Sequence, residues 1–227
     1  MYDLSLDRLH QGGVSLQVMA MFVGESNDPD AIKALFEKMF QAAEQLKAKG
    51  WIQAMDPREA DADTPRFMLS VEGCEPFEPG LHIIDDYRKQ GVRMAAITWN
   101  YENALGTPAC INQDEGLKPY GIKAARHMQS LGMAVDVSHL NIPGFYDVLH
   151  KTDAPPLASH SCCRALCDHP RNLTDQQLKD LFAVGGYVGV NFYPHFLVEG
   201  GKDCTIDTLI DHIDHMHKLG GAGKLGF

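Results

Sequence analysis

No window of about 18 consecutive apolar residues occurs in this 227-residue sequence, so nothing in it reads as a transmembrane helix. The opening segment, MYDLSLDRLHQGG, has neither the basic start nor the apolar run of a secretory signal. Basic charge is scarce: 20 Lys and Arg stand against 30 Asp and Glu, a net charge of -10. With no local basic patch, that balance argues against nucleic acid as a partner. The six cysteines, at 74, 110, 162, 163, 167 and 204, lack the repeated C-x-x-C spacing of structural zinc. They read as reduced thiols of a soluble, cytoplasmic protein.

What is present is an alternation of strand-like and helix-like runs with no seam between them, the order of βαβ units in a parallel sheet. Residues 1–227 are therefore read as a single domain. The strand-like runs are VSLQVMAMFV (14–23), FMLSVEG (67–73), VRMAAITW (92–99), MAVDVSH (133–139), PPLASH (155–160) and YVGVNFY (187–193), and KLGF opens a further one. Asn27, Asp28 and Pro29 announce the helix after the first run, and Gly50 closes it. Ile32, Leu35, Phe36, Met39, Phe40 and Leu46 give that helix one apolar stripe, which is packing and not a cofactor box. Thr174 and Gln177 have capping-box spacing. In the last helix the stripe is read as Ile206, Leu209, Ile210, Ile213 and Met216, leaving His212, His215 and His217 on a solvated face.

In a parallel β/α barrel the reacting groups gather where the strands end. The polar residues at those ends are Glu72, Trp99 with Asn100, His139, His160, and Asn191 to Tyr193. One strand-end histidine alone more often caps a helix or satisfies a carbonyl; two, with a carboxylate, favour a hydrolytic metal site. Imidazole nitrogen and carboxylate oxygen suit a borderline ion such as zinc, and ligands from separate strands leave positions open for water. Asp136 and Ser138 alternate with His139 along their strand, which makes them outer or packing groups pointing away from it. Cys162 and Cys163, being adjacent, do not coordinate one ion easily and are left out of the site.

The segments SVEG, ITWNYENALG, VDVSH, ASHSCCRALCDHPRNLTDQQL and GGYVGVNFY resemble the membrane (renal) dipeptidase family of zinc metallopeptidases, over nearly the whole chain. The resemblance implies an α/β fold, a (β/α)8 TIM-type barrel of the metal-dependent hydrolase kind, and two zinc ions in a complete site. It implies Glu72 as the catalytic bridging ligand, His139 and His160 as ligands of one ion, and Arg171 as a substrate-binding residue. Without the resemblance, Arg171 would read as a surface residue ahead of the Thr174 cap. Trp99 stands where family members often carry a histidine, and in having TWN there instead the chain resembles a bacterial subgroup; Trp99 and Tyr193 are assigned to the substrate side. The implied activity is hydrolysis of dipeptides by a metal-activated hydroxide, in a homodimer.

Two elements of the family pattern are missing: a His-x-Asp on the first strand and an acidic ligand on the eighth. The barrel is therefore expected to lack the first strand and most of the eighth, with both ends cut, and to keep the ligands of one ion only. Such a chain alone would be nearly inactive. The alternatives are a non-catalytic metal-binding or assembly protein, and an N-acyl amino acid hydrolase on the same scaffold.

Overall fold

The computed structural model describes residues 4–24, 26, 28–61 and 63–227. Helix α1 (Leu6–Gln11) leads into β1 (Leu16–Phe22), then α2 (Pro29–Ala48), a two-residue β2 (Ile52–Gln53) and β3 (Arg66–Glu72). There follow α3 (Leu81–Lys89), β4 (Val92–Ala96), α4 (Pro119–Ser130), β5 (Ala134–Asp136), α5 (Ile142–Lys151) and β6 (Leu157–Ser161). The chain continues through α6 (Asp175–Ala183), β7 (Tyr187–Val190), α7 (Pro194–Leu197), α8 (Ile206–Met216) and β8 (Leu225–Gly226).

All pairings between these strands are parallel, in the order β1-β3-β4-β5-β6-β7-β8, with β2 beside the start of β3. The fold is α/β, with the strands forming a parallel half-barrel and helices connecting successive strands, as a TIM-type barrel requires. Among the described residues β1 and β8 do not pair with each other. Between Phe67 and Val71 the β3 side chains are all buried and, but for Ser70, apolar, as in a strand covered on both faces.

Local chemistry accounts for the helix ends. Asp28 accepts from Asp30 N at 3.0 Å and Pro29 occupies the first turn of α2, while Asn27 lies outside the described residues. Gly50, at φ +91°, follows the end of that helix in a conformation that disfavours a side chain. Thr174 and Gln177 form a reciprocal capping box at the start of α6. Ile32, Phe36 and Ala43 bury the inner stripe of α2, and Phe36 and Phe40 meet the Tyr87 ring on α3. Five fully buried phenylalanines, Phe36, Phe67, Phe77, Phe145 and Phe182, are spread from α2 to α6. At about 1.5–3 kcal/mol for each such ring, burial distributed in this way holds the helices against the sheet along its length.

Helix α8 departs from the apolar stripe expected of it. Ile206 and Ile210 are exposed, whereas His212 and Met216 are buried and Leu209 and Ile213 pack against the core. The reason is a pair of backbone hydrogen bonds: His212 Nδ1 accepts from Cys163 N at 3.0 Å, and Nε2 bonds Leu197 O, also at 3.0 Å. A histidine satisfied at both nitrogens is cheap to bury, and it rotates the helix away from the face its isoleucines mark. His215 is also engaged, with its Nε2 2.8 Å from Asp175 Oδ1.

Candidate metal centre

Glu72 is the last residue of β3, His139 lies three residues past β5, and His160 is the fourth residue of β6. Parallel pairing brings these three strand ends to one rim. His139 Nε2 is 3.0 Å from Glu72 Oε1 and 2.9 Å from His160 Nε2, and His160 Nε2 is 3.5 Å from the same carboxylate oxygen. Three donor atoms thus form a nearly equilateral triangle. Zinc bonds of about 2.0–2.1 Å at tetrahedral angles set neighbouring donors roughly 3.3 Å apart, which is this spacing. Among the described residues this is the one group of three or more His, Cys, Asp or Glu side chains close enough together to hold an ion.

The protonation of the group suits a cation. Burial opposes ionisation of Glu72, but the close approach of the His139 and His160 rings outweighs it and holds the carboxyl well below the usual carboxylate range. Burial pushes His139 down to about 4, against the pull of Glu72 and with help from the charge of Arg171. His139 is therefore neutral at physiological pH. Its Nδ1 lies 3.0 Å from Asn100 Oδ1, an acceptor that fixes the proton on Nδ1 and leaves the Nε2 lone pair facing the triangle. The residues present fit a divalent ion: two imidazole nitrogens and an ionised oxygen converge on one point.

His139 reaches this position by leaving the strand. Its φ of +74° is rare for a residue with a side chain, and its carbonyl accepts from Ala109 N at 2.7 Å. Because β5 already ends at Asp136, strand alternation does not extend to His139. Asp136 is consequently not turned away from the site: it is buried, and it bonds Ser159, the neighbour of His160. The alternation argument fails here because the backbone it assumes is absent.

Arg171, in the loop between β6 and α6, is 5% exposed, and its Nη2 is buried with no hydrogen-bond partner. Its guanidinium lies over the Phe196 ring at 5.5 Å. Burial lowers its pKa to about 10, eased by the nearby charges of Asp136 and Glu72, so it remains a cation at neutral pH. Tyr193 is exposed and packs edge-on against the same Phe196 at 5.2 Å. Trp99 lies 6.4 Å from the His139 ring, between Phe22 at 4.6 Å and Tyr101 at 5.5 Å. Trp99, Arg171 and Tyr193 thus stand in the segments that follow β4, β6 and β7. Asn100 had been noted only as a strand-end residue and Ser159 not at all; a side chain that bonds the far nitrogen of a histidine leaves no spacing signal.

A hollow of about 1020 Å³ runs elsewhere, between α2 and α3, lined among others by Glu37, Glu44, Glu78 and Asp86. It contains none of the three converging donors, and these acids are spread over α2, α3 and the segment between β3 and α3.

Comparison with known proteins bears on this arrangement. Residues 1–227 match the model of the family described as Membrane dipeptidase (Peptidase family M19). An uncharacterized dipeptidase of Schizosaccharomyces pombe is 39% identical over 163 residues, 70% of this chain and 39% of that protein. Dipeptidase 3 of Mus musculus is 26% identical over 235 residues, 98% of this chain and 47% of that protein. The chain thus spans well under two thirds of the length of these relatives. Among solved structures, the dipeptidase AC, a metallopeptidase of family M19, superposes with a TM-score of 0.89 at 23% identity, covering 99% of this chain and 74% of that one. A Rhodobacter sphaeroides metallopeptidase, liganded with a phosphinate mimic of the dipeptide L-Ala-D-Ala, gives 0.86 at 22% identity, covering 99% and 75%. These last two likenesses concern the fold. On the family match across its whole length, the chain belongs to the membrane dipeptidase family, peptidase family M19.

Proposed function

We propose that this chain carries one metal site of a zinc-dependent dipeptidase, with Glu72, His139 and His160 as ligands. The observation that carries the reading is the triangle of donor atoms, with sides of 2.9, 3.0 and 3.5 Å. A bound zinc ion would supply Lewis acidity, polarising a peptide carbonyl and lowering the pKa of water toward neutrality. Glu72 would also help to hold a second ion in a complete site; the ligands for one are gathered here.

The chain's own groups do the rest. Neutral His139 and ionised Glu72 present lone pairs without first having to lose protons. Arg171 would receive the free carboxylate of a dipeptide: its orphaned Nη2 lacks an anionic partner, and Phe196 supports the guanidinium from one face. Trp99 and Tyr193 would form apolar walls on the substrate side. The same reading carries a homodimeric assembly and a cytoplasmic location, to be checked by sedimentation and cell fractionation. Among the described residues no helix is long and apolar enough to cross a membrane.

The test has two arms. Zinc uptake by this chain against a competing chelator probes the site itself. Hydrolysis of a dipeptide panel against N-acyl amino acids, by the natural polypeptide carrying residues 1–227, probes the reaction. A polypeptide that binds zinc and leaves every dipeptide intact would defeat the dipeptidase reading and leave the metal site standing.

A further inference from the structure

We propose that Asp136 is a positioning residue for the metal site, acting through the Ser159 hydroxyl to hold His160 with its proton on Nδ1 and its Nε2 lone pair toward Glu72 and His139. The inference deepens the metal-site reading and rests on it.

Asp136 is 2% exposed, and its Oδ1 accepts from two amides, Ser138 N at 2.9 Å and Ser159 N at 3.0 Å. Two N–H donors on one oxygen keep this side chain an acceptor. Its other oxygen, Oδ2, accepts from Ser159 Oγ. Ser159 Oγ also lies 2.6 Å from His160 Nδ1. A serine hydroxyl has one proton, and here it is spent on Asp136, so in the Ser159–His160 bond the imidazole must donate. The proton of a neutral His160 therefore sits on Nδ1, and the lone pair that an ion needs sits on Nε2, 2.9 Å from His139 Nε2. The backbone is locked into the same unit, since His160 N donates to Ser138 Oγ at 3.2 Å.

Histidine ligands of metals are commonly fixed by a carboxylate or carbonyl on the far ring nitrogen. For His139 that partner is Asn100 in direct contact, whereas for His160 it is a carboxylate one hydroxyl removed. The intervening serine follows from where the strands lie. Asp136 is on β5 and His160 on β6, which meet in one register pair, Asp136 with Leu157; Ser159 is the β6 residue whose amide and hydroxyl both reach the carboxylate.

The experiment measures zinc affinity by chelator competition for the unsubstituted chain, Ser159→Ala, Ser159→Thr and Asp136→Asn. Imidazole ¹H–¹⁵N NMR of the zinc-loaded forms accompanies it. Ser159→Ala keeps both amide bonds to Asp136 and removes only the relay, so it decides the matter even if Asp136→Asn fails to fold. The expected result is zinc binding weaker by roughly 10–100-fold in Ser159→Ala, with loss of the slowly exchanging His160 Nδ1–H signal, and recovery in Ser159→Thr, which restores a hydroxyl. Equal affinity in Ser159→Ala and the unsubstituted chain, with the Nδ1–H signal retained, overturns the relay alone. An equal loss in Ser159→Ala and Ser159→Thr also overturns it, by tracing the effect to packing. Failure of the unsubstituted chain to take up zinc overturns the metal site and the relay together.

Discussion

His139 and His160 face each other through their Nε2 atoms at 2.9 Å although 21 residues separate them, and each has its Nδ1 engaged by a different side chain. Two lone pairs at that distance repel unless a cation or a shared proton lies between them. Glu72 Oε1, within 3.5 Å of both, adds negative charge to the same point. The cost of assembling such a group is recovered when a divalent ion occupies it.

Loss of a ligand should therefore be felt more than loss of an outer partner. Glu72→Gln and His160→Ala are each expected to weaken zinc binding by more than the roughly 10–100-fold typical of an outer hydrogen-bond partner. Competition with a chromophoric chelator measures this, and circular dichroism checks that the fold persists. Zinc affinity unchanged in both variants would remove these side chains from the ligand set.

For Arg171 the expectation concerns the substrate carboxylate. Truncating one member of a buried, hydrogen-bonded charge pair costs about 2–5 kcal/mol. In the natural polypeptide, Arg171→Gln should lower kcat/KM for dipeptides accordingly, while rates on the corresponding dipeptide amides, which offer no carboxylate, should change little. Steady-state kinetics on matched acid and amide substrates reads the difference. A variant that still prefers the acid by the original factor would assign carboxylate recognition elsewhere.

Gly189 on β7 supports the site from beneath. A Cβ at this position would come 2.0 Å from Ser159 O, a backbone atom of β6 that cannot swing aside. Gly189→Ala should destabilise the chain by about 1–3 kcal/mol or more, as overpacking does, and should weaken zinc binding because it displaces the strand carrying His160. Urea denaturation and chelator competition on the same sample give both numbers.

Acid sensitivity is expected from His212. Burial holds its pKa below the ordinary histidine value, and the Cys163 amide directed at Nδ1 leaves no room for a second ring proton. With the folded-state pKa below that of the unfolded chain, the unfolded state binds more protons as pH falls from about 6.5. The stability contribution is thus fully present above that pH and is lost below it. Thermal unfolding at pH 7.5 and 5.5 should show a drop that shrinks in His212→Asn, whose amide oxygen can still accept from Cys163. An identical drop in the variant would place the acid sensitivity elsewhere.

Apart from the two-residue β2, the strands between residues 16 and 190 were legible because each is an apolar run bounded by turn residues, and a covered parallel strand requires that pattern. Helix α2 was legible for a related reason: Ile32, Phe36, Met39, Phe40 and Leu46 recur at helical spacing and the core accepts them. Helix α8 was misread because Ile206 and Ile210 lie on its apolar side by sequence but face outward, while His212 turns inward to meet Cys163 and Leu197. Helical periodicity counts apolar side chains and carries no information about a backbone donor and acceptor waiting 49 and 15 residues away.

By itself the sequence determined which donor types stand at the ends of which strands: a carboxylate at Glu72 and imidazoles at His139 and His160. Those are consequences of local order, since each donor stands where an apolar run gives way to polar residues. Only the tertiary structure decided that the three donors meet, that Nε2 and not Nδ1 faces inward, and that Asp136 belongs to the group. The physical reason is that a hydrogen bond depends on ångström distances between atoms up to 67 residues apart, and those distances are set by how neighbouring strands register and where the backbone leaves the strand at His139.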